Sequence, residues 1–320
     1  MTWVLLIIVA LVVALWFWLD RRAGSAPAVE PFDGQSFAIG AARVYRRGAP
    51  DADRAVIAVH GFCESPAYFT ALYKDPQLEL ILVGNGDYHP ALSATDRGAP
   101  PWSRAPESPL GTIGYEAEVV IQAAEHLARA PLVRVHGHSR GGAVLVEAAR
   151  RRPDLFAGAE AVLEAPVLPR ARQPRELPGV VLLLLPLLLP LWRLQPVNPR
   201  NERLWGDLSD ARKRHLIRSL PFNPRRAVIM RRNLADIARW VRERPIDDLR
   251  HLPDRLVLVP EHDRILDPAA MRRSAEAGGA RIAVVGGVSH FVTLDVPEAI
   301  PPLRDRDVAE TAEVRHEQGA

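Results

Sequence analysis

Residues 132–150 read LVRVHGHSRGGAVLVEAAR. The β-branched residues at the start suit a short strand, and AVLVEAAR, with small and aliphatic residues, suits a helix. Between them stand Gly137, His138, Ser139, Arg140, Gly141 and Gly142, which leave no room for a conventional loop. The spacing G-x-S-x-G predicts a sharp strand-to-helix turn with Ser139 at its apex, a nucleophile elbow. Glycines are needed there because neighbouring side chains would clash and because helix must pack close to strand. Ser139 then sits at a helix N-terminus, where free N–H groups and the helix dipole favour a developing negative charge. A glycine-rich turn with an incidental serine is the alternative reading.

Working outward, short apolar runs at 56–59, 80–83, 132–136, 161–164, 256–259 and 282–285 alternate with amphipathic stretches such as 115–129 and 141–151. Alternating strands and helices predict an α/β fold with a mostly parallel sheet covered on both faces. Three further motifs follow in order: AVIAVHGF at 55–62, LVLVPEHDRILDP at 256–268 and GGVSHF at 286–291.

With the elbow, these motifs make the chain resemble the α/β-hydrolase superfamily over about residues 55–295. The resemblance implies Ser139 as nucleophile, Asp263 as acid and His290 as base, in the superfamily's order. It implies an oxyanion hole from the N–H groups of Phe62 and Arg140. Two departures stand in the acid motif, where Pro260 replaces a usual glycine and Asp267 a usual proline, so a differently shaped turn is expected. Serine rather than aspartate at the elbow argues against haloalkane dehalogenase and epoxide hydrolase chemistry. Glu164, at the end of the preceding strand, stays open as an alternative acid. Cys63 reads as a small buried thiol rather than a second nucleophile. His60 is expected to make a structural hydrogen bond. His136 and His138 are spaced like metal ligands but lack a third; His138 is expected to line the substrate pocket. Asp87, Tyr88 and His89, in a long loop at 84–111, are further candidates for substrate contact. No cofactor and no metal are called for.

The 320 residues carry one cysteine, which excludes an intramolecular disulfide. Just two lysines, Lys74 and Lys213, stand among 41 basic residues; this arginine bias, with abundant Ala and Pro, points to a high-GC bacterial genome. Residues 3–19 (WVLLIIVALVVALWFWL) are 17 apolar residues without charge, Gly or Pro, a helix of roughly 26 Å that just spans a bilayer. Trp3 at one end and Trp16 and Trp18 at the other suit the interfaces. A cleaved signal peptide is the competing reading, but no Lys or Arg precedes the span and the small-residue site near AGSA is followed by Pro27; residues 1–22 are thus expected to be a retained transmembrane anchor, 23–35 a Pro, Gly and Ala rich linker, 36–305 the catalytic domain and 306–320 a polar tail. Arg21 and Arg22 follow the span and no basic side chain precedes it, so the positive-inside rule puts the domain in the cytoplasm, on a bacterial inner membrane.

Residues 170–250 hold no clear strand and read as a helical lid inserted in the sheet. They carry 18 Arg and Lys against 8 Asp and Glu, about +10, while the whole chain is +3 and the remainder therefore −7. A helix from Pro224 to about Arg244, with Asn223 as N-cap, aligns Ala227, Met230, Leu234, Ile237 and Val241 on one face and crowds Arg225, Arg232, Arg239 and Arg242 on the others. It is either a packed cap helix with a solvated basic face or one leaning on anionic lipid. Nothing accompanies the charge that would read nucleic acid. LPGVVLLLLPLLLPLW at 177–192 is too short and too proline-broken to span a bilayer. It is expected to be the lid's apolar wall, with Leu184 and Leu188 lining an acyl groove. The expectation is a serine hydrolase of the esterase or lipase type acting on acyl-chain or lipid esters at a membrane. Hydrolysis of a small ester, thioester or amide under a merely structural lid is the alternative, and a non-catalytic scaffold is the alternative of another class. Oligomeric state is not encoded legibly.

Overall fold

The computed structural model describes residues 2–23, 29–49, 51–86, 88–172, 202–219 and 227–304. Nine strands form one sheet: β1 (Glu30–Ile39), β2 (Ala42–Arg47), β3 (Arg54–Val59), β4 (Glu79–Gly84), β5 (Leu92–Asp96), β6 (Leu132–His138), β7 (Glu160–Glu164), β8 (Asp254–Pro260) and β9 (Arg281–Val285). Their order is β5-β1-β2-β4-β3-β6-β7-β8-β9. From β4 through β9 neighbouring strands are parallel, and β2 runs antiparallel to both β1 and β4. The helices are α1 (Thr2–Ala23), α2 (Ala67–Thr70), α3 (Ile113–His126), α4 (Arg140–Arg151), α5 (Pro153–Phe156), α6 (Glu202–Trp205), α7 (Ala211–Arg218), α8 (Ala227–Glu243), α9 (Pro268–Ala277) and α10 (Val292–Asp295).

Strand alternation builds two cores, one on each face. In β3 and β4, Ile57, Val59, Ile81 and Val83 point to the face covered by α3, α4, α8 and α9, while Val56, Ala58, Leu80 and Leu82 join Tyr68, Phe69, Trp205, Ile217 and Phe291 on the other. Each fully buried aliphatic contributes about 1.5–3 kcal/mol, and burial on both faces is why β3 and β4 are nearly unbroken apolar runs.

Two sequence expectations shift. The stretch read as linker ends in β1, which starts at Glu30, and the long loop at 84–111 contains β5, an edge strand paired with β1. The helix expected within the insertion is described from Ala227 to Glu243, and its expected start at Asn223 and Pro224 lies outside the described residues. Its packing is that of a cap helix: Met230, Trp240 and Val241 are buried, Asp236 accepts the Ile113 N–H at 2.7 Å, and Trp240 Nε1 donates to Glu147 at 3.3 Å. Arg239 is tied to Asp236 at 2.5 Å. The apolar wall with Leu184 and Leu188, and the tail 306–320, lie outside the described residues.

α1 is helical as expected, and its described apolar side chains, from Trp3 to Trp18, are exposed. Among the described residues no helix is long and apolar enough to cross a membrane.

Candidate active site

The residues singled out in the sequence converge at the carboxyl ends of the parallel strands. Phe62 follows β3, Ser139 follows β6, Asp263 follows β8 and His290 follows β9. Ser139 has φ 52° and ψ −119°, a conformation that costs a non-glycine residue about 1–3 kcal/mol. Three backbone bonds hold it: Ser139 N–H donates to the Glu164 carbonyl at 2.9 Å, and the Ser139 carbonyl accepts from Gly142 at 3.0 Å and Val167 at 2.9 Å. The glycines leave room for the turn. A Cβ on Gly137 would lie 2.8 Å from the Gly141 backbone, one on Gly142 would lie 2.6 Å from Pro166, and one on Gly141 would overlap the Val59 carbonyl oxygen.

His290 Nδ1 is 2.7 Å from Asp263 Oδ2, and Asp263 Oδ1 accepts the N–H groups of Ile265 and Leu266 at 2.7 and 2.9 Å. Burial works against the Asp263 charge, yet the His290 ring and those amides outweigh it and hold its carboxyl below the usual range. With the carboxylate on Nδ1, His290 keeps Nε2 for the cavity side. Of the two departures in the acid motif, Pro260 ends β8 and Asp267 caps α9 by accepting the Ala269 N–H at 3.0 Å. No Ser139–His290 hydrogen bond is formed in this structure, although both residues line one cavity; such contacts commonly tighten only with substrate bound.

Arg140 is the first residue of α4, so its N–H has no intrahelical acceptor. The Phe62 N–H has no acceptor among the described residues. The Arg140 side chain turns away into the fold, where it is paired with Glu116, whose other oxygen accepts from Asn85 at 2.6 Å.

Glu164, the alternative acid, is engaged elsewhere. Its two oxygens are filled by Tyr68 at 2.5 Å, His136 at 3.1 Å and the N–H and hydroxyl of Thr293 at 2.7 Å each. It makes no bond to His290. Burial opposes its charge, but His138, His136 and Tyr68 prevail and hold it at about 2. His136 is therefore committed to Glu164 and Tyr73, the latter at 2.7 Å, and the spacing of His136 and His138 is not that of a ligand pair.

Glu64 is the participant that the sequence reading missed. Its Oε2 accepts from Gly61 N–H at 2.8 Å and lies 2.7 Å from His138 Nδ1, while His138 Nε2 lies 3.0 Å from the His290 carbonyl. The pair thus ties the loop after β3 to the loop carrying His290. Its one sequence signal is a carboxylate two residues beyond the Phe62 position. Glu64, His138 and His290 offer ligand atoms within 4.8 Å of one another, but both His138 nitrogens are already hydrogen-bonded, as is His290 Nδ1. Burial disfavours the His138 charge, yet Glu64, Glu164 and these bonds raise it to about 9, so at neutral pH an imidazolium, a poor neighbour for a cation, donates from both nitrogens.

A raised folded value stabilises the fold fully below the unfolded value near 6.5, and the gain is lost as pH rises through about 9. The gain is on the order of 3 kcal/mol. The melting-temperature gap between the natural chain and His138→Gln is therefore expected to narrow steadily from pH 6 to pH 10. A gap independent of pH would sink the charged-histidine reading.

Burial pushes the Cys63 thiol up, far from nucleophilic use, and its N–H donates to Tyr88 at 2.9 Å. His60 makes the expected structural bond, Nδ1 to the Gly61 carbonyl at 2.8 Å. Tyr88 and His89 do not reach the cavity of Ser139; they surround a smaller one of about 130 Å³ behind the loop after β3, and Asp87 lies outside the described residues. His138 lies behind Ser139 rather than in the lining of the main cavity, contrary to expectation. That cavity, about 560 Å³, is within the range of ligand pockets. Its walls are mainly apolar, with Trp205, Ile217, Leu234, Ile237, Met271 and Leu294 among them.

A strained serine between glycines, beside a histidine held by an aspartate on a mostly parallel sheet, defines a hydrolase-type site. Residues 56–300 match the alpha/beta hydrolase family model, and the chain belongs to that family. Among curated proteins none matches the chain. Solved structures share the fold: an esterase from Exiguobacterium antarcticum (14% identity, 86% of this chain and 95% of that one, TM-score 0.58), a lipase-esterase related protein from Clostridium acetobutylicum ATCC 824 (14%, 86% and 99%, TM-score 0.53) and a bromoperoxidase from Bacillus anthracis (15%, 79% and 89%, TM-score 0.51). Likeness at this identity carries the fold alone, and the spread of activities among the three illustrates why.

Proposed function

We propose that this chain is a serine hydrolase that cleaves carboxylic esters of acyl-chain or lipid type through an acyl-serine. The observation that carries the reading is that Ser139 and the Asp263-bound His290 open onto one largely apolar cavity. In this mechanism His290 Nε2 takes the Ser139 proton as Oγ attacks the ester carbonyl, and Asp263 steadies the imidazolium. The N–H groups of Phe62 and Arg140 receive the oxyanion. The protonated His290 gives its proton to the departing alkoxide, then accepts one from water that attacks the acyl-serine; collapse frees the acid as His290 returns that proton to Ser139 Oγ.

The apolar lining favours an acyl chain over a small polar ester. The exposed apolar side chains of α1 support a place at a membrane, held there by residues 1–22 with the domain on the cytoplasmic side. The test is labelling of the full chain by a fluorophosphonate, expected to be lost in Ser139→Ala, with a chain-length profile over 4-nitrophenyl esters. Labelling that survives the substitution, or activity confined to acetyl and butyryl esters, would refute the proposal. Aspartate at Leu184 and Leu188 should cut long-chain hydrolysis more than short-chain hydrolysis.

A further inference from the structure

Among the described residues, the charged side chains lining the cavity are not balanced. Glu64 is committed to His138 and Gly61, Arg140 to Glu116, and Asp267 to capping α9. Three arginines remain: Arg172 from the segment after β7, Arg242 from the last turn of α8, and Arg264 beside Asp263 in the β8–α9 loop. All three line the same cavity and are exposed at its rim. Arg172 and Arg264 have no carboxylate within ion-pair distance among the described residues, and Arg242 has just an exposed contact with Glu243 at 3.9 Å. Among the described residues, three separate segments thus bring three guanidinium groups, against the one remaining carboxylate of Asp267, to the lining of one apolar space. Guanidinium groups prefer carboxylate and phosphate oxygens, and several together focus the field on one spot.

Resting on the hydrolase reading, we propose that the preferred ligand of this cavity is an amphiphile with a second, anionic group, a carboxylate or phosphate remote from the scissile ester, which Arg172, Arg242 and Arg264 bind at the rim while the chain fills the apolar interior. The interior supplies affinity without discrimination, because one hydrocarbon chain resembles another. The rim supplies the choice, since a neutral amphiphile leaves the three cations as they were.

The test separates this choice from catalysis. The full chain carrying Ser139→Ala is titrated calorimetrically with monooctyl phosphate and with octanol, both below their aggregation limits, and its binding to phosphatidylglycerol vesicles is measured alongside. Octyl phosphate is expected to bind at least about tenfold more tightly than octanol, a preference that falls in 0.5 M salt. The triple variant Arg172→Gln, Arg242→Gln, Arg264→Gln should bring the two within about twofold, and Arg264→Gln alone should remove part of the preference. Equal affinity for the two amphiphiles in the parent, or a preference that survives the triple variant, would overturn the proposal. So would a triple variant that loses the vesicles but keeps the octyl phosphate preference, because the arginines would then read a membrane surface. Absence of fluorophosphonate labelling at Ser139, with the phosphate preference intact, would refute the hydrolase reading and leave the anion site standing.

Discussion

Asp263→Asn is expected to lower kcat/KM for a long-chain ester by about 10³- to 10⁴-fold while leaving the fold intact. The carboxylate accepts from His290 Nδ1 at 2.7 Å and from two amides on its other oxygen. An asparagine oxygen can keep those amides, but its NH₂ then faces Nδ1 as a donor. The imidazole must turn its proton to Nε2, which leaves no base toward Ser139. The control is Glu164→Gln, in the pocket of Tyr68, His136 and Thr293. That change is expected to cost stability, because a charge-assisted network loses its acceptor, with a far smaller effect on the tautomer of His290. Melting temperature and kcat/KM measured on both variants decide the matter: a Glu164→Gln loss as deep as that of Asp263→Asn would mean that the acid has been misassigned.

Gly141→Ala is expected to be as damaging by a different route. The added carbon would overlap the Val59 carbonyl oxygen, a backbone atom of β3 that cannot rotate away. Either α4 retreats from β3, opening a void in a core that includes Val144 and Leu145, or the turn relaxes and Ser139 leaves its φ of 52°. Retreat resembles overpacking, with a cost of about 1–3 kcal/mol or more. Relaxation disables the nucleophile. Both outcomes predict a lower melting temperature together with loss of fluorophosphonate labelling. A Gly141→Ala chain that melts normally and labels at the parent rate would show that the close approach of helix and strand is dispensable. Gly158→Ala, where an added carbon meets nothing within 4 Å, is the neutral comparison.

The central strands and the elbow were legible because their constraints are local. β3, β6, β7, β8 and β9 are apolar runs bounded by turn chemistry, and the glycines around Ser139 announce a turn that few other residues fit. Asp263 and His290 could be found only by motif, and the structure brings them together as the motif implied. Glu64 was illegible because its meaning depends on His138, which lies 74 positions further along. β1, β2 and β5 were hidden for a related reason: they form the end of the sheet beyond β4, where partly exposed faces admit the polar residues that otherwise mark loops. The split role of His136 and His138 was equally distant from their spacing, since each faces a different carboxylate.

The order of strands in the chain also sets an order in time. Ser139 and the β7 carbonyl that holds its turn precede the insertion, whereas the proposed acid and base arrive on β8 and β9 after it. During synthesis the amino-terminal part emerges first, so a nascent chain can fold its serine turn while the residues that would activate it are still unmade. Hydrolytic competence would then switch on last, once β9 has paired and the cavity walls are in place, and a nucleophile would not be exposed in a half-built protein.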